Sequence, residues 1–119
     1  MARSRDHQPP ADFVAHGQWP LVTLVPDAPL TARFGAAFAL NLYTAMTGQG
    51  LSDRALAKRA GFSHTTVGRI ARGEVLPDLG TIARLEVALQ ADLYPFGLRA
   101  TFDPSAAAGA PDEPVPPSA

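Results

Sequence analysis

Residues 51–73 read LSDRALAKRAGFSHTTVGRIARG, and this stretch decides the fold. Ser52 carries the hydroxyl that an N-cap needs. Residues 53–60 after it are mostly Ala, Leu, Lys and Arg, good helix formers with no glycine or proline among them. Gly61 supplies the backbone freedom that helix C-termini favour, and Phe62 behind it offers an apolar plug. Ser63 repeats the cap for a second helix over residues 64–72, which Gly73 is placed to end. Two short helices joined by so tight a turn are expected to cross steeply.

At about 100° per residue, the second helix turns Val67 and Ile70 inward with Ala71 beside them. Thr65, Arg69 and Arg72 point outward, and His64 stands at the exposed N-terminal end. Charge follows the same division. The whole chain carries a net −1, but residues 51–73 hold Arg54, Lys58, Arg59, Arg69 and Arg72 against Asp53 alone. Five basic residues less one acid leave +4 on the motif, whereas residues 100–119 have three acids and no base. A positive patch on one helical pair is the electrostatic footprint of a polyanion binder.

The pattern LSxxxLAxxAGFSxxTVxRIxxG, followed by Pro77 and a TIxxLxxAL run over residues 81–89, resembles the phage-repressor/Cro (XRE-type) helix-turn-helix family. The resemblance implies an all-α fold, a compact four- to five-helix lambda-repressor-like DNA-binding domain. It also implies a sequence-specific transcriptional regulator, a repressor, acting as a homodimer on a palindromic operator of double-stranded DNA. Carried over residue by residue, the base-reading positions are His64, Thr65 and Arg69. A guanidinium at 69 can pair with O6 and N7 of guanine, and a threonine can meet several bases. Backbone contacts fall to Ser52, Arg54, Lys58, Ser63, Thr66 and Arg72, with the helix ends at Ser52 and Ser63 attracting phosphate. Gly68 is expected to thin the outer face for close approach to the groove. The sequence departs from the family at Asp53, where relatives often place a phosphate-binding Gln, and at Met46, where helix one often carries Arg.

Working outward, residues 30–47 predict the first helix of the domain, with Thr31 as N-cap and Gly48 and Gly50 at the exit. Phe34, Phe38, Leu42 and Ala45 follow the helical period toward the core. Ala36, Ala39, Leu40 and Tyr43 make the other face apolar too, so it needs a cover. That cover is expected from the β-prone segment between Trp19 and Val25 folding back, with a second subunit adding contact. After the motif, Asp78 is positioned to cap a fourth helix reaching about Gln90. Leu79, Ile82, Leu85 and Leu89 form its stripe against Leu56, Ala57, Val67 and Ile70. Pro95 and Gly97 argue against a long helix beyond it, and a short strand over residues 98–102 is expected to pair with residues 21–25.

The 119 residues thus divide into a structureless N-terminal tail (1–11), an extended flank covering helix one (12–30), the helix-turn-helix domain (31–102) and a disordered Pro/Ala-rich acidic tail (103–119). In the first of these, Arg3 and Arg5 are weighed as a minor-groove arm and read instead as an idle tail. With no cysteine, disulfides and thiolate metal sites are excluded. The three histidines lack metal-ligand spacing, and no phosphate loop, paired-carboxylate site or nucleophile elbow is present. The expectation is a protein that is not an enzyme and needs no cofactor. No apolar run is long enough to cross a membrane, and the N-terminus lacks the hydrophobic segment of a secretory signal, so the cytoplasm is the expected location. Two other uses of the same module are an antitoxin paired with a toxin and a helix-turn-helix used for protein–protein contact.

Overall fold

The computed structural model describes residues 5–102, apart from the side chain of Asp6. Four helices carry the fold: α1 (Leu30–Gln49), α2 (Asp53–Ala60), α3 (His64–Ala71) and α4 (Leu79–Leu89). A two-stranded antiparallel hairpin, β1 (Val14–Gln18) and β2 (Leu21–Leu24), precedes them.

Helix boundaries follow local chemistry. Ser52, Ser63 and Asp78 each accept the backbone N–H three residues on, from Ala55, Thr66 and Thr81 at 3.1, 3.1 and 2.8 Å. Gly50 and Gly61 end α1 and α2 in the left-handed region, at φ 65° and 82°. The N–H of the next residue then returns to a carbonyl inside the helix: Leu51 to Met46 and Phe62 to Ala57, both at 2.9 Å. Thr31 is not the N-cap of α1. Pro29 holds that position, with its carbonyl accepting from Ala32 and Arg33, and Thr31 lies in the first turn. The helix also runs through Gly48 to Gln49, since the left-handed turn falls only at Gly50.

All four helices feed one core. Phe38, Leu42 and Met46 of α1 meet Leu56 and Ala57, Val67 and Ile70, and Leu85 and Leu89, with Leu93 closing the far side. Leu79 is a correction to the predicted stripe: at the mouth of α4 it is 78% exposed, one turn short of the core. Leu93, which the helical period does not reach, is wholly buried instead. Side chains hold this non-helical segment down. Glu86 accepts the N–H groups of Leu93 and Tyr94 at 2.8 and 3.1 Å, and Asn41 of α1 donates to the Leu93 carbonyl at 2.9 Å. Residues Leu98–Thr101 then make a 3-10 turn and no strand.

Of the stretch 1–11 expected to be structureless, the described residues 5–11 take up defined turns. Turns of 3-10 helix occupy Arg5–His7 and Pro10–Phe13, and Pro10 is buried against Gly35 of α1. Arg5 lies over the Phe13 ring at 5.0 Å and reaches Asp27 at 3.5 Å. Phe13, Ala28 and Ala32 form a second small core, with Leu24 and Val25 packed on it. The partner of β2 is β1, in the register Val14 with Leu24 and Gln18 with Leu21, and not residues 98–102. The cover over α1 comes mainly from the Pro10–Phe13 turn, with β2 touching it more lightly. Leu40 and Tyr43 remain exposed, 37% and 47%. Arg3 and the tail over residues 103–119 lie outside the described residues.

Candidate nucleic-acid interface

The pair α2–α3 is built as the caps dictate, and α3 divides into two faces. Val67 and Ile70 are buried in the core, whereas His64, Thr65, Thr66, Arg69 and Arg72 are exposed. Thr65, Arg69 and Arg72 share one side through the i, i+4, i+7 spacing. His64, Thr65 and Arg69 engage no side-chain hydrogen bond or ion pair among the described residues. Thr66 is turned to its own cap, its hydroxyl 2.9 Å from that of Ser63. Arg54 and Lys58 are exposed on α2, also without a partner among the described residues. Arg59, which adds to the same positive count, leans to the far end of α4 and donates to the Ala88 carbonyl at 3.4 Å.

Three features revise the site as read from sequence. Gly68 is buried, and it does not thin the outer face. A Cβ there would lie 2.9 Å from an Arg72 guanidinium nitrogen and 3.3 Å from Asp53 Oδ2, so the missing side chain makes room for α2 and for Arg72. Met46 is buried in the core, so the departure from the family at that position is one of packing. Arg72 is not a bare cation: its Nε donates to Glu74 at 2.9 Å. That hydrogen bond raises the Arg72 pKa further and holds the Glu74 carboxyl below its usual value. Glu74 directly follows residues 51–73; with it included, five basic residues stand against two acids, or +3.

Two supports of the site carry no motif signal. Arg84 of α4 donates to the carbonyls of Ala60 and Gly61 at 3.1 and 2.9 Å, capping α2, and its guanidinium stacks 4.1 Å from the Phe62 ring centroid. At the other end, Trp19 of the hairpin turn lies against Gly73, and the Gly73 carbonyl accepts the Ala11 N–H at 2.9 Å. Gly73 has φ 70° and is buried, so it needs glycine both for its backbone and for the indole above it. The exit of α3 is therefore clamped by the N-terminal region. The exposed face of α3 is not covered by it.

Residues 42–96 match the family model described as helix-turn-helix. The chain is also 33% identical to the restriction-modification controller protein C.AhdI from Aeromonas hydrophila, over 46% of this chain and 83% of that one, with a TM-score of 0.45. This chain belongs to the helix-turn-helix family. Two further solved structures resemble this member of the family. An HTH_3 family transcriptional regulator from Vibrio cholerae is 31% identical over 51% of this chain, but only 34% of that one is spanned, with a TM-score of 0.49. The hypothetical transcription factor NHTF from Neisseria is 25% identical over 57% of this chain and 83% of that one, with a TM-score of 0.50. No curated protein matches. The XRE-type resemblance read from residues 51–89 is thus confirmed, and with it a DNA-binding protein of transcription regulation. The hairpin and the turns before it precede the matched residues. Among the described residues, no helix is long and apolar enough to cross a membrane.

Proposed function

We propose that this helix-turn-helix protein is a transcriptional repressor that lays α3 in the major groove of a palindromic operator as a homodimer, in the cytoplasm. The observation that carries the reading is the division of α3. Its inner face is locked in the core, while His64, Thr65 and Arg69 stand exposed on its outer face, with no side-chain partner among the described residues. In this reading those three side chains meet base edges, and Arg69 is the guanine reader. Arg54, Lys58 and Thr66, with the helix ends at Ser52 and Ser63, meet phosphate. A second copy is proposed to cover Tyr94 and Phe96, which are 53% and 101% exposed beyond α4. Neither a metal nor a cofactor is invoked, and no catalysis.

Selection of duplexes from a random library by the purified protein tests the reading. One palindromic sequence should emerge, with log affinity against log salt falling at a slope near −5 if about six phosphates are neutralised. Arg69→Ala should cost about 1–3 kcal/mol on that duplex and relax the preference at one base pair. Equal losses on all sequences would remove Arg69 from the base-reading set, and selection of no sequence would remove the repressor. The antitoxin reading draws on the exposed Leu40 and Tyr43 of α1, apolar surface outside the DNA face. Co-purification with a toxin from the native host would favour it.

A further inference from the structure

The family pattern gives Arg72 a phosphate, yet its guanidinium is already held. Nε donates to Glu74, and a terminal nitrogen folds back over Gly68 in the preceding turn of α3. Asp53, at the first position of α2, sets its Oδ2 against the same glycine. Its charge also acts on Arg72, although the two are not in ion-pair contact. One cation thus lies between two carboxylates where α2 begins and α3 ends, and the cluster carries a net −1.

An exposed ion pair ordinarily contributes little, because two long side chains must be ordered to form it. Here much of that ordering is already done. Glu74 follows the buried Gly73, which Trp19 and the Ala11 N–H fix, and its own N–H donates to the Arg69 carbonyl at 2.9 Å. The carboxylate cannot swing away with its backbone. A phosphate approaching Arg72 would also meet Glu74 and Asp53, and like charges at such range repel.

We propose that Arg72 is a positioning residue, held across Gly68 by Glu74 and Asp53 and kept off the DNA backbone, and that these two acids weaken the grip on duplex DNA. The inference rests on the DNA-binding reading above and deepens it, assigning Arg72 to the angle between α2 and α3. Glu74 is then a brake on affinity.

The test uses the full chain, a labelled duplex of mixed sequence and the selected duplex, each titrated across a salt series. Arg72→Ala should leave the slope of log affinity against log salt at the wild-type value on both duplexes, while narrowing the gap in affinity between them. Glu74→Gln should steepen the slope by about 0.9 per protomer, because a released Arg72 gains a phosphate. In the Glu74→Gln, Arg72→Ala double variant that gain should vanish. A slope made shallower by about 0.9 in Arg72→Ala alone would overturn the proposal, since Arg72 would then be a phosphate contact after all. So would an equal gain from Glu74→Gln with and without Arg72, the mark of simple charge removal. Should Arg72→Ala fail to fold, Arg72→Gln takes its place in both the single and the double variant. Wild-type protein that binds neither duplex at low salt removes the DNA-binding reading and this inference with it; every other failure strikes only this inference.

Discussion

The helical domain and the N-terminal hairpin are made by different kinds of information. The side-chain caps Ser52, Ser63 and Asp78 and the glycine turn at Gly50 are settled within a few residues along the chain. Ser63 accepts the N–H of Thr66, and Gly61 donates its N–H to the carbonyl of Ala57. The hairpin has few such local rewards, and a two-stranded ribbon is marginal on its own in water. It is held through distant residues: Trp19 against Gly73, Ala11 to the Gly73 carbonyl, and Arg33 to the carbonyls of Val25 and Pro26 at 3.2 and 2.8 Å. The first region forms the helix-turn-helix unit, and the second braces it.

That contrast makes graded expectations. The largest concerns the domain core. Leu85→Ala, at a fully buried site shared by all four helices, should cost about 2–5 kcal/mol and remove cooperative unfolding of the whole protein in a urea titration. Trp19→Ala should cost less, about 2 kcal/mol, because part of the indole stays in contact with solvent. Its amide-exchange signature should be local: faster exchange across the hairpin and at the exit of α3, with the domain core still protected. Loss of protection throughout the core would mean that brace and domain form a single unit. Trp19→Phe sharpens the same point. The indole N–H is buried without a partner among the described residues, so replacing the ring by one with no donor should change stability by less than about 1 kcal/mol.

Below Trp19→Ala in size comes the cap at the start of α3: Ser63→Ala should cost about 1 kcal/mol in thermal or denaturant unfolding. The smallest effect is acidic. Accepting the Thr81 N–H lowers the Asp78 pKa from an ordinary 3.8. The depressed carboxylate stabilises the fold at any pH above its unfolded value, and that contribution disappears as pH falls through the folded value. Melting temperature should therefore be level through neutrality and decline below about pH 4, less steeply in Asp78→Asn.

Legibility divided along the same line. The boundaries of α2 and α3, the inward Val67 and Ile70 and the Asp78 cap were all readable, because periodicity and capping are properties of neighbours. Leu79 was misplaced because the stripe was extended one turn too far, where nothing packs above it. Thr31 is not the cap because the helix begins at Leu30, earlier than a Thr31 cap allows, and Pro29 holds the cap position. Gly68 looked like relief on the outer face, since a helical projection cannot show that Asp53 and Arg72 close over it. Glu74 and Arg84 had no motif to announce them; their partners are set by how helices cross. The N-terminal turns carry no readable signal, because their apolar anchors, Pro10 and Phe13, are too few to make a pattern.

The indole seated on Gly73 also sets an order of assembly. A ribosome delivers Trp19 before it delivers Gly73, so the indole has no seat until α3 has been made and turned. The indole is synthesised well before the glycine it rests on.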